Sequence, residues 1–179
     1  TAVSQDAASG VDGNAGLNAM SGGFNTFDAA ILDINFVPNV PPGAQVGDVM
    51  QDSAQLFATR ASAPDGLALR DGFVLATIHR AENTDHPQRL GAIVAALDAA
   101  AQSTPVVLPV HPRTRNILAQ QHITPRHITL IEPVGYLQML WLLQHCGLVV
   151  TDSGGVQKEA FFMGKACVTL RDQTEWVEL

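Results

Sequence analysis

From about residue 47 the apolar positions repeat in a regular order. Val49, Ser53, Leu56 and Phe57 fall on one helical stripe, with Asp48 as a candidate N-cap and Pro64-Asp65-Gly66 as a stop. Residues 73–78 are nearly uniformly apolar, as a strand buried on both faces would be. A polar loop, 79–85, follows. Leu90, Ile93, Val94 and Leu97 then mark an amphipathic helix with Pro87 in its first turn. The cycle recurs as strand 106–110 with helix 113–121, then strand 128–131 with helix 136–145. A fourth strand ends at Thr151 and leads through Asp152 and Ser153 into a helix opened by Gly154 and Gly155; residues 166–170 form a fifth strand. Strands alternating with helices imply right-handed βαβ crossovers. The predicted fold class is therefore α/β: a Rossmann-like parallel sheet with helices on both faces.

Residues 1–46 read differently. No Lys or Arg occurs before Arg60, while Asp6, Asp12, Asp28 and Asp33 all do, and Gly, Asn, Ser and Ala crowd residues 9–25. One strand is expected over 32–37, stopped by Pro38, Pro41 and Pro42. A lone strand cannot bury its own apolar face, so this segment is expected to be irregular and poorly structured, with the α/β domain running from 47 to 179. Met20-Ser21-Gly22-Gly23-Phe24-Asn25 and Asp28-Ala29-Ala30-Ile31-Leu32 resemble the opening of a β-rich bacterial surface domain of the choice-of-anchor L type. That resemblance implies a chain joining pieces of two unrelated proteins.

Composition narrows the picture. The 179 residues are 46% hydrophobic but only 6% aromatic, which suits one Ala-, Val- and Leu-rich domain with a sizeable core. A net charge of −7 argues against nucleic acid as a partner, because no basic stripe exists to displace counterions. Cys146 and Cys167 sit in apolar surroundings without metal-ligand spacing; two buried free thiols in a reducing compartment are expected, and with them a cytoplasmic location. No apolar run has membrane-spanning length, and no basic stretch precedes an apolar one at the N-terminus. No histidine pair has ligand spacing with a carboxylate, so neither a metal nor a cofactor is expected.

The candidate chemistry lies where the strands end. His79, His111, Glu132 and Ser153 each stand at or just after a strand's carboxyl end, the side on which open α/β sheets bind ligands. Gly154 and Gly155 let a ligand approach the backbone, and the first turn of a helix offers N–H groups and the positive end of its dipole to an anion. Glu159 is one helical turn past Gly155, placed to accept hydrogen bonds from ribose hydroxyls. His79 and Arg80 add donors for phosphate oxygens. The set suits a nucleotide diphosphate. A capped helix on a sheet with no ligand is the competing reading. For Tyr136, Met139 and Leu140 the choice is between a core stripe and the wall of a base pocket. His86, His122, His127 and His145 read as surface or packing residues.

Five segments in order carry a resemblance: Ala76-Thr77-Ile78-His79-Arg80-Ala81-Glu82-Asn83, Pro109-Val110-His111-Pro112, Ile131-Glu132-Pro133-Val134-Gly135-Tyr136, Thr151-Asp152-Ser153-Gly154-Gly155-Val156-Gln157-Lys158-Glu159-Ala160 and Leu170-Arg171-Asp172-Gln173-Thr174-Glu175-Trp176. Together they look like the second domain of the non-hydrolysing UDP-N-acetylglucosamine 2-epimerases, over about residues 47–179, stopping before that domain's closing helices. The resemblance implies half of a glycosyltransferase-B type fold, a homodimer when full length, and a UDP-sugar substrate. It implies UDP held at its phosphates by Ser153, Gly154 and Gly155, at the ribose by Glu159 and near the uracil by Met139. His79 would face the diphosphate as the catalytic candidate, and Arg80 with His111 match positions that help bind an activating UDP-N-acetylglucosamine.

The family reaction removes the C2 proton, expels UDP to leave a glycal, and adds UDP back with the opposite C2 configuration. Its proton-abstracting carboxylates belong to the first domain, which residues 1–46 do not supply. The chain alone is therefore expected not to epimerise, and Glu82, Glu132 and Glu175 are expected to cap loops or make ordinary hydrogen bonds. Trp176-Val177 stands where many members have Arg-Pro. Three alternatives remain: a UDP-sugar glycosyltransferase of the same fold, an epimerase acting on a diacetamido-uronic acid sugar nucleotide, and a non-catalytic fused or truncated chain.

Overall fold

The computed structural model describes residues 48–173. The strand expected over 32–37, the surface-domain resemblance, Glu175 and Trp176-Val177 lie outside the described residues. Helix α1 is Val49–Ala58; then come β1 (Val74–Thr77), α2 (Ala81–Thr84), α3 (Pro87–Ala100), β2 (Val106–Pro109), α4 (Pro112–Gln120), β3 (Thr129–Ile131), α5 (Tyr136–His145), β4 (Leu148–Thr151), α6 (Gly154–Phe162) and β5 (Ala166–Thr169). The five strands form one sheet in the order β3-β2-β1-β4-β5, and every neighbouring pair is parallel.

Two cores cover the two faces. On one, Val74, Ala76, Ile78, Val106, Leu108 and Val150 pack against Leu90, Val94 and Leu97 of α3 and Leu118 of α4. On the other, Phe73, Leu75, Val107 and Val149 pack against Leu142 and Leu143 of α5 and Ala160 of α6. Alternate residues of β1 thus point to opposite cores, which is why its sequence shows no polar alternation. The α/β expectation, with helices on both faces, holds.

The strand order reverses between β1 and β4. Chain leaves β1 towards β2 and β3 on one side, and β4 towards β5 on the other, so a crevice opens beyond their carboxyl ends. The register sets Thr77 opposite Thr151. Both are buried, and their hydroxyls hydrogen-bond to each other. At the opposite end of these strands two glycines approach closely: a Cβ on Gly147 would lie a tight 3.0 Å from the Gly72 carbonyl oxygen, and Gly72 itself has φ of +93°, which favours glycine.

Three expectations need correction. Helix α1 ends at Ala58 rather than at Pro64-Asp65-Gly66, because the Ala58 carbonyl accepts from Gln144 Nε2 (3.0 Å) and the chain turns at Arg60, whose N–H reaches the Phe57 carbonyl. The loop expected at 79–85 contains the helical turn α2, held by the Arg80 carbonyl accepting from the N–H groups of Asn83 (3.0 Å) and Thr84 (2.9 Å). Cys146 is buried as expected, but Cys167 is exposed. It lies on β5, whose only partner strand among the described residues is β4, so the apolar surroundings read from sequence do not cover it.

Candidate functional site

Asp152 organises the crevice. It follows β4, is fully buried, and its carboxylate accepts from the His79 N–H (3.1 and 3.0 Å to the two oxygens), the Arg80 N–H (2.9 Å) and Asn83 Nδ2 (3.0 Å). The same carboxylate stands 3.3 Å from His79 Nδ1. A buried carboxylate is tolerable only when its oxygens are met by donors in this way. Asn83, itself fully buried, spends its other N–H on the Leu170 carbonyl (2.9 Å) and accepts Arg89 Nε at Oδ1 (2.6 Å). The turns after β1, β4 and β5 are therefore tied together through two side chains. Arg171 with Glu82 (3.2 Å) and Arg89 with Asp172 (2.7 Å) fasten the outer edge.

Ser153 caps α6. Its Oγ accepts from the Val156 N–H (3.4 Å), and its own N–H donates to Thr151 Oγ1 (2.9 Å). The first turn of α6 thus opens at the β1/β4 crevice, where the amides of Gly154 and Gly155 follow the cap. A Cβ at Gly155 would meet only Met50 Cε at 3.5 Å and Ser153 Oγ at 3.9 Å, ordinary contacts, so chain packing alone does not demand glycine there. The charge of Asp152 sits beneath this turn, but its oxygens face the β1–α2 connection and its donors. The His79 side chain, about half exposed, is held alongside.

Glu159 is 7% exposed on the same helix. The Tyr136 hydroxyl, in the first turn of α5, donates to it, yet burial dominates and pushes its carboxyl up to about 7. A carboxylate kept dehydrated and near neutrality is poised to gain from further hydroxyl donors. Tyr136 is partly exposed and meets the Phe57 ring edge-on at 6.2 Å. Met139 is partly buried against the α5/α6 core, whereas Leu140 is fully buried.

The remaining candidates, Arg80 excepted, stand apart. His111, at the end of β2, caps α4, with Nδ1 accepting from the Arg113 N–H at 3.3 Å. Arg80 lies on the β1–α2 connection, one strand over. Glu132 is exposed and pairs with Arg115 at 2.7 Å, an ordinary surface contact, whereas Glu82 makes a part-buried pair with Arg171. His145 stacks on Trp141 at 4.0 Å. Sequence reasoning missed Asp152, Asn83 and Arg89 as organisers. The one signal available was a carboxylate at the end of a mostly apolar strand, Leu148–Thr151, which needs buried donors without saying which.

The family model for UDP-N-acetylglucosamine 2-epimerase matches residues 41–179. The chain is 64% identical over 135 residues to UDP-2,3-diacetamido-2,3-dideoxy-D-glucuronate 2-epimerase of Pseudomonas aeruginosa, covering 75% of this chain and 38% of that protein. It is 42% identical over 145 residues to a UDP-N-acetylglucosamine 2-epimerase homolog of Methanococcus maripaludis, covering 74% and 40%. Among solved structures it matches the Methanocaldococcus jannaschii UDP-GlcNAc 2-epimerase in complex with UDP-GlcNAc and UDP, with a TM-score of 0.66 and 34% identity over 76% of this chain and 42% of that one. The chain spans about two fifths of the length of these relatives. Since the family model covers well over half of the sequence and the sheet matches as well, the chain belongs to the UDP-N-acetylglucosamine 2-epimerase family.

Proposed function

We propose that this chain is the UDP-binding half of a nucleotide-sugar 2-epimerase. The observation that carries the reading is the α6 N-terminus, capped by Ser153 at the β1/β4 crevice, with the buried Glu159 one turn deeper. Ser153, Gly154 and Gly155 hold the pyrophosphate, Glu159 accepts from the ribose hydroxyls, Met139 lies near the uracil and His79 faces the diphosphate. In the reaction, the C2–H electron pair becomes the C1=C2 bond while the C1–O pair leaves with UDP. Negative charge develops on the phosphate oxygens, and fixed donors at that place lower the barrier. Proton abstraction falls to groups outside this chain, which alone does not turn over. Arg80 and His111 remain the proposed contacts for an activating second sugar nucleotide, and a homodimer in the cytoplasm is the proposed state of the whole protein.

The family reaction interconverts UDP-N-acetylglucosamine and UDP-N-acetylmannosamine. The 64% identity to the Pseudomonas aeruginosa enzyme favours a second reading, in which the sugar is a 2,3-diacetamido-glucuronate. Turnover assays with both sugar nucleotides separate the two, and turnover of either by the 179 residues alone would contradict the division of labour. The family match weighs against a glycosyltransferase. The site itself is tested by calorimetric titration with UDP. Gly155→Ala, which the fold accommodates, sets a methyl against the phosphates and is expected to weaken binding about 10-fold, the effect of about 1.4 kcal/mol. Equal affinity in both proteins, or none in the wild type, removes the site.

A further inference from the structure

We propose that Asp152 is a positioning residue for His79: it keeps the proton of the neutral imidazole on Nδ1 and turns Nε2 to the crevice. The inference rests on the reading above, which sets a diphosphate there. An ionised carboxylate only accepts, and offers about four positions. The N–H groups of His79 and Arg80 and Asn83 Nδ2 occupy those facing the β1–α2 connection. Oδ1 then stands 3.3 Å from His79 Nδ1. An acceptor-only oxygen facing a ring nitrogen is attractive when that nitrogen carries hydrogen and repulsive when it carries a lone pair.

The grip is double. The same carboxylate accepts from the backbone N–H of His79 and lies 3.3 Å from its ring nitrogen, so one group faces both ends of a side chain otherwise about half exposed. Asn83 and Arg89 in turn hold Asp152 and the β1–α2 connection in place. With Nδ1 committed, Nε2 is the nitrogen that exchanges protons with a ligand. Protonated, it gives its hydrogen to a phosphate oxygen of departing UDP as that oxygen takes the C1–O electron pair; neutral, it takes the hydrogen back on re-addition. A carboxylate that merely stapled the loop would leave the tautomer of His79 unspecified.

Nitrogen-15 imidazole spectra of the full 179-residue chain at about pH 9, where histidine is neutral, test this. The expected result is His79 with a hydrogen-bearing Nδ1 and a bare Nε2, the Nδ1–H form in at least about 10-fold excess, the equivalent of about 1.4 kcal/mol. In Asp152→Asn that excess falls several-fold, while Glu159→Gln leaves it unchanged. A wild-type His79 with hydrogen on Nε2, or an even mixture, overturns the proposal and needs no variant to fold; an unchanged excess in Asp152→Asn overturns it as well. Addition of UDP distinguishes the two claims. Perturbed amides at residues 153–156 with the wrong tautomer defeat only the role of Asp152, and the right tautomer with no UDP response defeats only the ligand.

Discussion

Replacing Asp152 by alanine is expected to lower the stability of the α/β domain by about 3–5 kcal/mol, the range for removing one member of a buried charged network. The mechanism is the loss of one acceptor that serves three donors. The N–H groups of His79 and Arg80 and Asn83 Nδ2 would all face a small apolar void. Each unpaired buried donor costs about 1–3 kcal/mol, partly relieved where water can enter beside the exposed His79 ring. Urea unfolding followed by circular dichroism measures the change. A midpoint shift worth less than about 1 kcal/mol would mean that the turns after β1 and β4 are held by something other than this carboxylate. The comparable change at Glu132, exposed and paired only with Arg115, should fall within about 0.5 kcal/mol.

Glu159→Gln is expected to act in opposite directions on stability and on binding. Burial holds the Glu159 carboxyl up to about 7 in the fold, above its ordinary 4.5. Between those two values the unfolded chain releases a proton that the native state retains, so stability falls as pH rises through this window and levels off above it. The difference integrates to about 3 kcal/mol. Glutamine carries no charge and can still accept from Tyr136. The variant should therefore match the parent near pH 4 and exceed it above pH 7, with the pH slope between them removed. Binding goes the other way. On the proposed reading ribose hydroxyls donate to the carboxylate, so affinity for UDP-N-acetylglucosamine should rise with pH up to about 7 in the parent; this ligand's own pyrophosphate diester does not titrate there. In the variant it should be flat and about 10–100-fold weaker, as expected when hydrogen bonds to a charged group are lost. Parallel pH slopes in both proteins would show that Glu159 does not meet the ligand.

Much of this architecture was legible from the chain because its signals are local. The runs at β1, β2 and β4 are almost wholly apolar, as doubly covered strands are, and α5 runs from Tyr136 to His145 as the sequence suggests, bracketed by Gly135 and Gly147. The positions of His79, Ser153 and Glu159 followed from those elements. What stayed hidden depends on contacts distant in sequence. Helix α2 is too short to show a period and exists because Arg80 and Asp152, 72 residues apart, meet. The exposure of Cys167 depends on which strand borders the sheet, something its own neighbours in sequence do not record. The raised carboxyl of Glu159 needs both the depth of α6 and the Tyr136 hydroxyl from the preceding helix. Motif order therefore pointed to the family, while the groups that hold the motif in shape emerged only from the folded crevice.

The central claim is that the first turn of α6 binds a pyrophosphate, and backbone amide spectra recorded during a UDP titration test it most directly. Saturable shifts at Ser153, Gly154, Gly155 and Val156, with smaller ones at His79 and Arg80, are the predicted result. Resonances at 153–156 that stay unmoved at saturating UDP would contradict it.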